Sequence, residues 1–93
     1  MSEDAELKRE VEIRNSKGLH ARAAAKFCKT AGLFDADVKV ARGENEVSGG
    51  SIMGLMMLAA APGSVIRIRA AGPQAAAALE ALCTLVINKF DEE

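Results

Sequence analysis

Gly18-Leu19-His20-Ala21-Arg22 opens the run Ala21 to Ala31, and here the apolar pattern changes period. Upstream, Val11 and Ile13 alternate with Glu12 and Arg14, as in a short half-buried strand. Asn15-Ser16-Lys17-Gly18 reads as a loop. Downstream, Ala24, Phe27, Cys28 and Ala31 are spaced i, i+3, i+4, i+7, one buried stripe of a helix. Arg22, Lys26 and Lys29 share the opposite face, and Gly32 fits the C-terminal stop. His20, the single histidine of the chain, falls at the mouth of this helix. Helix starts present unpaired N–H groups and the positive end of the helix dipole, a setting that receives anions such as a phosphoryl group. Taken alone, the position favours a surface histidine acting as a modest cap, and the wider pattern reverses that.

The strand–loop–helix pattern continues outward. Val38 and Val40 alternate with Asp37, Lys39 and Ala41 in a second strand. Arg42-Gly43-Glu44-Asn45 is a hairpin turn leading to a short return strand at Glu46-Val47. After the break at Ser48-Gly49-Gly50, Ser51 opens a short helix that ends before Pro62-Gly63. Ile66 and Ile68 alternate with Arg67 and Arg69 in a fourth strand. Gly72-Pro73 precedes a last helix whose core stripe is Leu79, Leu82, Cys83, Val86 and Phe90. Residues 1–6 read as a flexible N-terminal extension, and Asp91-Glu92-Glu93 as a solvated tail. The order βαββαβα, with short connections, predicts an α+β fold. It is an open-faced sandwich, a four-stranded antiparallel sheet with three helices on one face, formed as one domain over residues 1–93.

Composition narrows the function. Of 93 residues, 49% are apolar, which argues against disorder. Twelve basic residues against 13 acidic ones give a net charge of −1, a poor basis for nucleic-acid binding, which depends on neutralising phosphates. Cys28 and Cys83 fall on apolar helix faces and read as reduced core residues. A metal site at the cysteines would need other ligands, and no second histidine exists to supply one; no metal and no cofactor are expected. Residues 1–10 lack the apolar core of a secretory signal, and the apolar run at Ile52 to Ala61 stops at Pro62, far short of a membrane span. A cytoplasmic location is expected.

With His20 and Ser51 each at a predicted helix start, the chain resembles the HPr family, phosphocarriers of the bacterial phosphoenolpyruvate-dependent phosphotransferase system. Gly18-Leu19-His20-Ala21-Arg22 is similar to the family's active-site segment, and Gly50-Ser51-Ile52-Met53-Gly54-Leu55-Met56 to its regulatory-serine segment. The resemblance implies that His20 accepts a phosphoryl group on Nδ1 from enzyme I and passes it to an EIIA-type protein. Arg22 would stabilise the phosphate, and Ser51 would be a regulatory phosphorylation site for a serine kinase and phosphorylase. Ile52, Met53 and Met56, which periodicity alone leaves divided between core and surface, would dock partners within a rim of Arg22, Lys26 and Lys29. Such a carrier is itself phosphorylated rather than being an enzyme, and a monomer suits its shuttling.

Two departures stand out. Ala23 occupies the place where the family usually has proline, which adds an N–H donor and predicts an altered phosphohistidine stability. Gly50 stands where relatives often carry a basic residue, which weakens the match to kinase recognition. These departures keep a regulatory, nitrogen-related branch open beside sugar uptake. A nucleic-acid-binding module is a further reading, since RNA-binding domains share a related layout. With three Phe, two of them on helix stripes, and no Tyr or Trp, little is left for base stacking. For a hydrolase using His20 as base, no convincing serine or cysteine nucleophile and orienting acid complete a triad.

Overall fold

The computed structural model describes residues 6–92. Strand β1 (Leu7–Glu12) leads to helix α1 (Ala21–Ala31), then strands β2 (Asp37–Arg42) and β3 (Asn45–Ser48), helix α2 (Ile52–Met57), strand β4 (Val65–Ala71) and helix α3 (Ala75–Ile87). A final one-turn segment covers Lys89–Asp91. The strands form one antiparallel sheet in the order β1-β4-β2-β3. The expected fold, an open-faced antiparallel sandwich, is the one observed.

Alternation decides which face of the sheet is buried. In β4, Ile66, Ile68 and Ala70 are buried while their neighbours are exposed or half-buried. Register sets Val11 opposite Ile66, Val40 opposite Ile68 and Val38 opposite Ala70, so these side chains form one apolar layer. Helices α1 and α3 cover it with Phe27, Leu79, Leu82 and Val86, and α2 adds Leu55. Ala23, Ala24, Ala75 and Ala78 are also buried, where a single methyl lets helix and sheet approach closely. Each large side chain taken from water contributes roughly 1.5–3 kcal/mol. The opposite face of the sheet carries Lys8, Arg69 and Lys39 in one cross-strand row and Glu10 beside Arg67.

The sequence expectations need correction at several places. Strand β1 starts earlier than expected and ends at Glu12, so Ile13 and Arg14 lie beyond it, while β4 extends to both sides of its alternating core because backbone pairing continues there; Ala41, expected on the polar side of β2, is buried. Cys28 is half-buried, whereas Ala23 is fully buried. Helix α2 stops at Met57, and Ala59 is exposed in the left-handed region (φ 51°), so the chain reaches Pro62 without more helix. Of the expected flexible extension, residues 1–5 lie outside the described residues, but Glu6 pairs with Arg69 at 3.0 Å.

The largest correction concerns the end of α3. Phe90 is fully buried, as its spacing predicts, yet it is not on the helix, which ends at Ile87. Lys89, Phe90 and Asp91 all adopt left-handed backbone (φ 58°, 55° and 61°). For a side chain other than glycine that conformation costs about 1–2 kcal/mol. Burial of the Phe90 ring holds the turn, as does Lys26, whose Nζ donates to the Phe90 carbonyl at 2.7 Å. Glu92 is therefore not a solvated tail; the turn returns it to the head of α1. Glu93 lies outside the described residues.

Candidate functional site: a histidine at the head of the first helix

The loop before His20 is fixed from both sides. Gly18 takes a left-handed φ of 64°, and its N–H donates to the Asn15 carbonyl at 3.2 Å. Leu19 N–H donates to the Ala60 carbonyl at 3.0 Å, tying the loop to the α2–β4 connection. Asn15 is fully buried, and its Nδ2 donates to the Gly18 carbonyl at 2.8 Å and to Glu92 Oε1 at 3.1 Å. Both partners are acceptors, which fixes the orientation of the amide.

His20 is the N-cap of α1 in extended backbone, its carbonyl accepting from Ala24 N–H at 2.9 Å. Its side chain makes no capping bond, so the imidazole is not spent on the helix. The ring remains 27% exposed, and Nε2 hydrogen-bonds Glu92 Oε2. Burial opposes ionisation of the Glu92 carboxyl, but hydrogen bonds from His20 and Asn15, with favourable electrostatics from His20 and the Lys17 ammonium, outweigh it. The net effect holds Glu92 below the usual carboxylate range.

An open cavity of about 250 Å³ lies beside the ring. Lys17, Arg22 and Lys26 line it together with Ser16, Asp91 and Glu92. Its volume is several times the ~30 Å³ share of a water molecule, and its cations can receive an anion carried on the imidazole. Arg22 is exposed at the first turn of α1, two residues from His20, while Lys26 is half-buried and already engaged with Phe90. Lys29 stands outside this cavity.

Ser51 is the N-cap of α2, its Oγ accepting from Gly54 N–H at 2.9 Å. It does not line the His20 cavity. Ile52, Met53 and Met56 are exposed, and so is Met57, which the sequence reading passed over. Met53 and Met57, 71% and 77% exposed, give α2 an apolar outer surface, while Leu55 and Leu58 face the core. Helices α1 and α2 pack against each other, which sets this surface beside the basic face of α1.

Sequence reasoning missed Asn15 and Glu92. Both were read as loop or tail, and neither carries a local sequence signal of its role. Among the described residues no cluster of His, Cys, Asp and Glu can hold a metal ion, and no helix is long and apolar enough to cross a membrane. No aromatic residue sits on the uncovered sheet face, since Phe27 and Phe90 are buried and Phe34 packs against the core.

An imidazole at a helix mouth, beside a cavity lined by cations, can carry and receive an anionic group such as phosphate. Comparison with known proteins agrees. The PTS-HPr family model, described as the PTS HPr component phosphorylation site, matches residues 7–88. Phosphocarrier protein HPr of Neisseria meningitidis serogroup A is 49% identical over 86 residues, covering 92% of this chain and 97% of that protein. Phosphocarrier protein NPr of Shewanella violacea is 46% identical over 86 residues, covering 92% and 94%. The crystal structure of HPr-C-His from Thermoanaerobacter tengcongensis superimposes with a TM-score of 0.89 at 39% identity, covering 94% of this chain and 98% of that one. The chain belongs to the HPr family of phosphocarrier proteins.

Proposed function

We propose that His20 is the phosphoryl acceptor of a cytoplasmic carrier, loaded by enzyme I and unloaded onto EIIA-type proteins. The half-exposed imidazole at the head of α1, facing an open cavity lined by Lys17 and Arg22, is the observation that supports it. Loading forms a P–N bond at the ring nitrogen as the bond to the donor breaks and its electron pair returns to the donor. Arg22 then meets the new negative charge, in a contact worth about 1.5–3 kcal/mol where it is shielded from water. The open cavity suits a group that must leave again, and the partner proteins supply most of the orientation.

Docking falls on the exposed residues Ile52, Met53 and Met56, extended by Met57, with Arg22 and Lys29 as a basic rim for acidic partners. Lys26 contributes less to that rim than its position on α1 implies, because its ammonium is held by Phe90. Ser51 serves first as a cap. A phosphate there adds negative charge beside the docking surface and slows loading by enzyme I. Relatives named HPr and NPr match almost equally, and the carrier chemistry is common to the sugar-uptake and nitrogen-related branches. A nucleic-acid role has no support from the uncovered sheet face, which mixes both charges and carries no stacking ring.

Incubation with enzyme I, magnesium and phosphoenolpyruvate should add one acid-labile, base-stable phosphate, detected by mass spectrometry and absent in His20→Ala. Failure to form an adduct with a cognate enzyme I contradicts the reading. In the same assay Ser51→Asp should load more slowly, and an unchanged rate removes the regulatory role.

A further inference from the structure

We infer that Glu92, fixed by the buried amide of Asn15, is a positioning residue for the His20 imidazole: it accepts the Nε2 proton and leaves Nδ1 as the nitrogen that takes phosphate. The inference rests on the carrier reading above and adds to it a residue from the far end of the chain.

A deprotonated carboxylate is an acceptor only. Glu92 Oε2 bonds ring Nε2, and Glu92 Oε1 accepts from Asn15 Nδ2 at 3.1 Å. Nε2 therefore carries the proton, and the remaining ring nitrogen keeps its lone pair. Asn15 is fully buried and anchored to the Gly18 carbonyl at 2.8 Å, within the same loop that sets the His20 backbone. Glu92 and His20 are thus aligned by one rigid turn rather than by a passing surface contact. Hydrogen bonds that fix the protonation and orientation of a histidine do so by holding the nitrogen that is not reacting.

The backbone shows that this placement is enforced. Had α3 continued past Ile87, a residue two positions beyond Phe90 would sit about 200° around the helix from it, on the outer face. Instead, left-handed backbone at Lys89, Phe90 and Asp91 turns the chain back onto α1. Non-glycine residues persist in that region only where the surroundings hold them, and such segments gather at functional sites. Here the Phe90 ring and the Lys26 ammonium are the holding groups.

During loading the Nδ1 lone pair forms the P–N bond, the donor's bond to phosphorus breaks, and the Nε2 proton stays between ring and carboxylate. The carboxylate faces the proton on the ring edge away from the reacting nitrogen, and the Lys17 ammonium offsets its charge.

Nitrogen-15 spectra of the unphosphorylated protein with labelled histidine test the proton's position directly. In the native chain the neutral ring should carry its proton on Nε2, protected from exchange. In Glu92→Ala that protection should vanish and the Nδ1–H form should gain population. Loading by enzyme I should slow about threefold to tenfold, with the adduct still on His20. Glu92→Gln should slow as well, because His20 and Asn15 donate to different carboxylate oxygens and the amide replaces one of them by an NH2 group that cannot accept. A native ring protonated on Nδ1, or a Glu92→Ala protein with unchanged ring spectra and loading rate, overturns the inference while the carrier reading stands. A native chain that takes no phosphate overturns both.

Discussion

Replacing Gly18 by alanine should unfold this protein far more readily than its small size implies. Two costs combine. Gly18 has φ 64°, where any residue with a Cβ loses about 1–2 kcal/mol. A Cβ there would also lie 2.4 Å from the Ala60 carbonyl oxygen and 3.1 Å from Ala61 Cα. Both obstacles are backbone, and Leu19 N–H is bonded to that same oxygen at 3.0 Å, so the strand of chain cannot step aside without losing the bond. Overpacking of this kind costs typically 1–3 kcal/mol and the lost bond about 1 kcal/mol more. The expected loss is about 3–6 kcal/mol, and at about 4–8 °C per kcal/mol for a domain of this length it lowers Tm by at least about 12 °C. Gly43→Ala is the control, since Gly43 has φ 61° but nothing within 4 Å of its Cβ position. It should cost only about 1–2 kcal/mol. Urea titrations of the native chain and both variants give the comparison. If the two losses agree within about 0.5 kcal/mol, the close approach of Gly18 to Ala60 is refuted.

Two further outcomes follow from the C-terminal turn. Phe90→Ala should lose about 3–5 kcal/mol in urea unfolding, as for a core ring, although it lies beyond the last helix; a loss below about 1 kcal/mol would show that the turn does not hold it. Glu92 has its carboxyl below the ordinary range when folded, so it contributes stability above its unfolded value of about 4.5, and that contribution disappears as pH falls through the depressed folded value. Stability measured between pH 3 and 7 should therefore fall less steeply with acid in Glu92→Gln than in the native chain, and parallel curves would remove the contact from the accounting.

Most of the fold was legible because its elements are amphipathic. Ile66 and Ile68 in β4 alternate cleanly, Val38 and Val40 are the buried valines of β2 although Ala41 is buried beside them, and Ala24, Phe27 and Ala31 mark one helix face. His20 and Ser51 were legible because helix starts have a simple chemistry, and both prove to be N-caps. The end of α3 was misread for a physical reason. Leu82, Val86 and Phe90 keep an i, i+4 spacing that a helix would satisfy, but a left-handed turn buries Phe90 just as well. Nothing local in Lys89-Phe90-Asp91 announces left-handed backbone, since no glycine is there. Glu92 could not be paired with His20 because that contact spans 72 positions and exists only once the turn is formed. Asn15 looked like an ordinary loop residue, and its burial depends on the closure of the C-terminus over it.

The sheet order β1-β4-β2-β3 has a consequence for how the polypeptide matures. The strand that joins the two halves is the last one made, and its slot lies between partners synthesised long before it. A nascent chain emerging as far as Ser64 can form the β2–β3 hairpin, but β1 has no neighbour and the apolar layer has no centre. Closure waits for residues 65–71 to insert between β1 and β2, a step dominated by distant pairings and therefore slow for so short a protein. Ribosome-bound chains should accordingly stay protease-sensitive until nearly the whole sequence has been released.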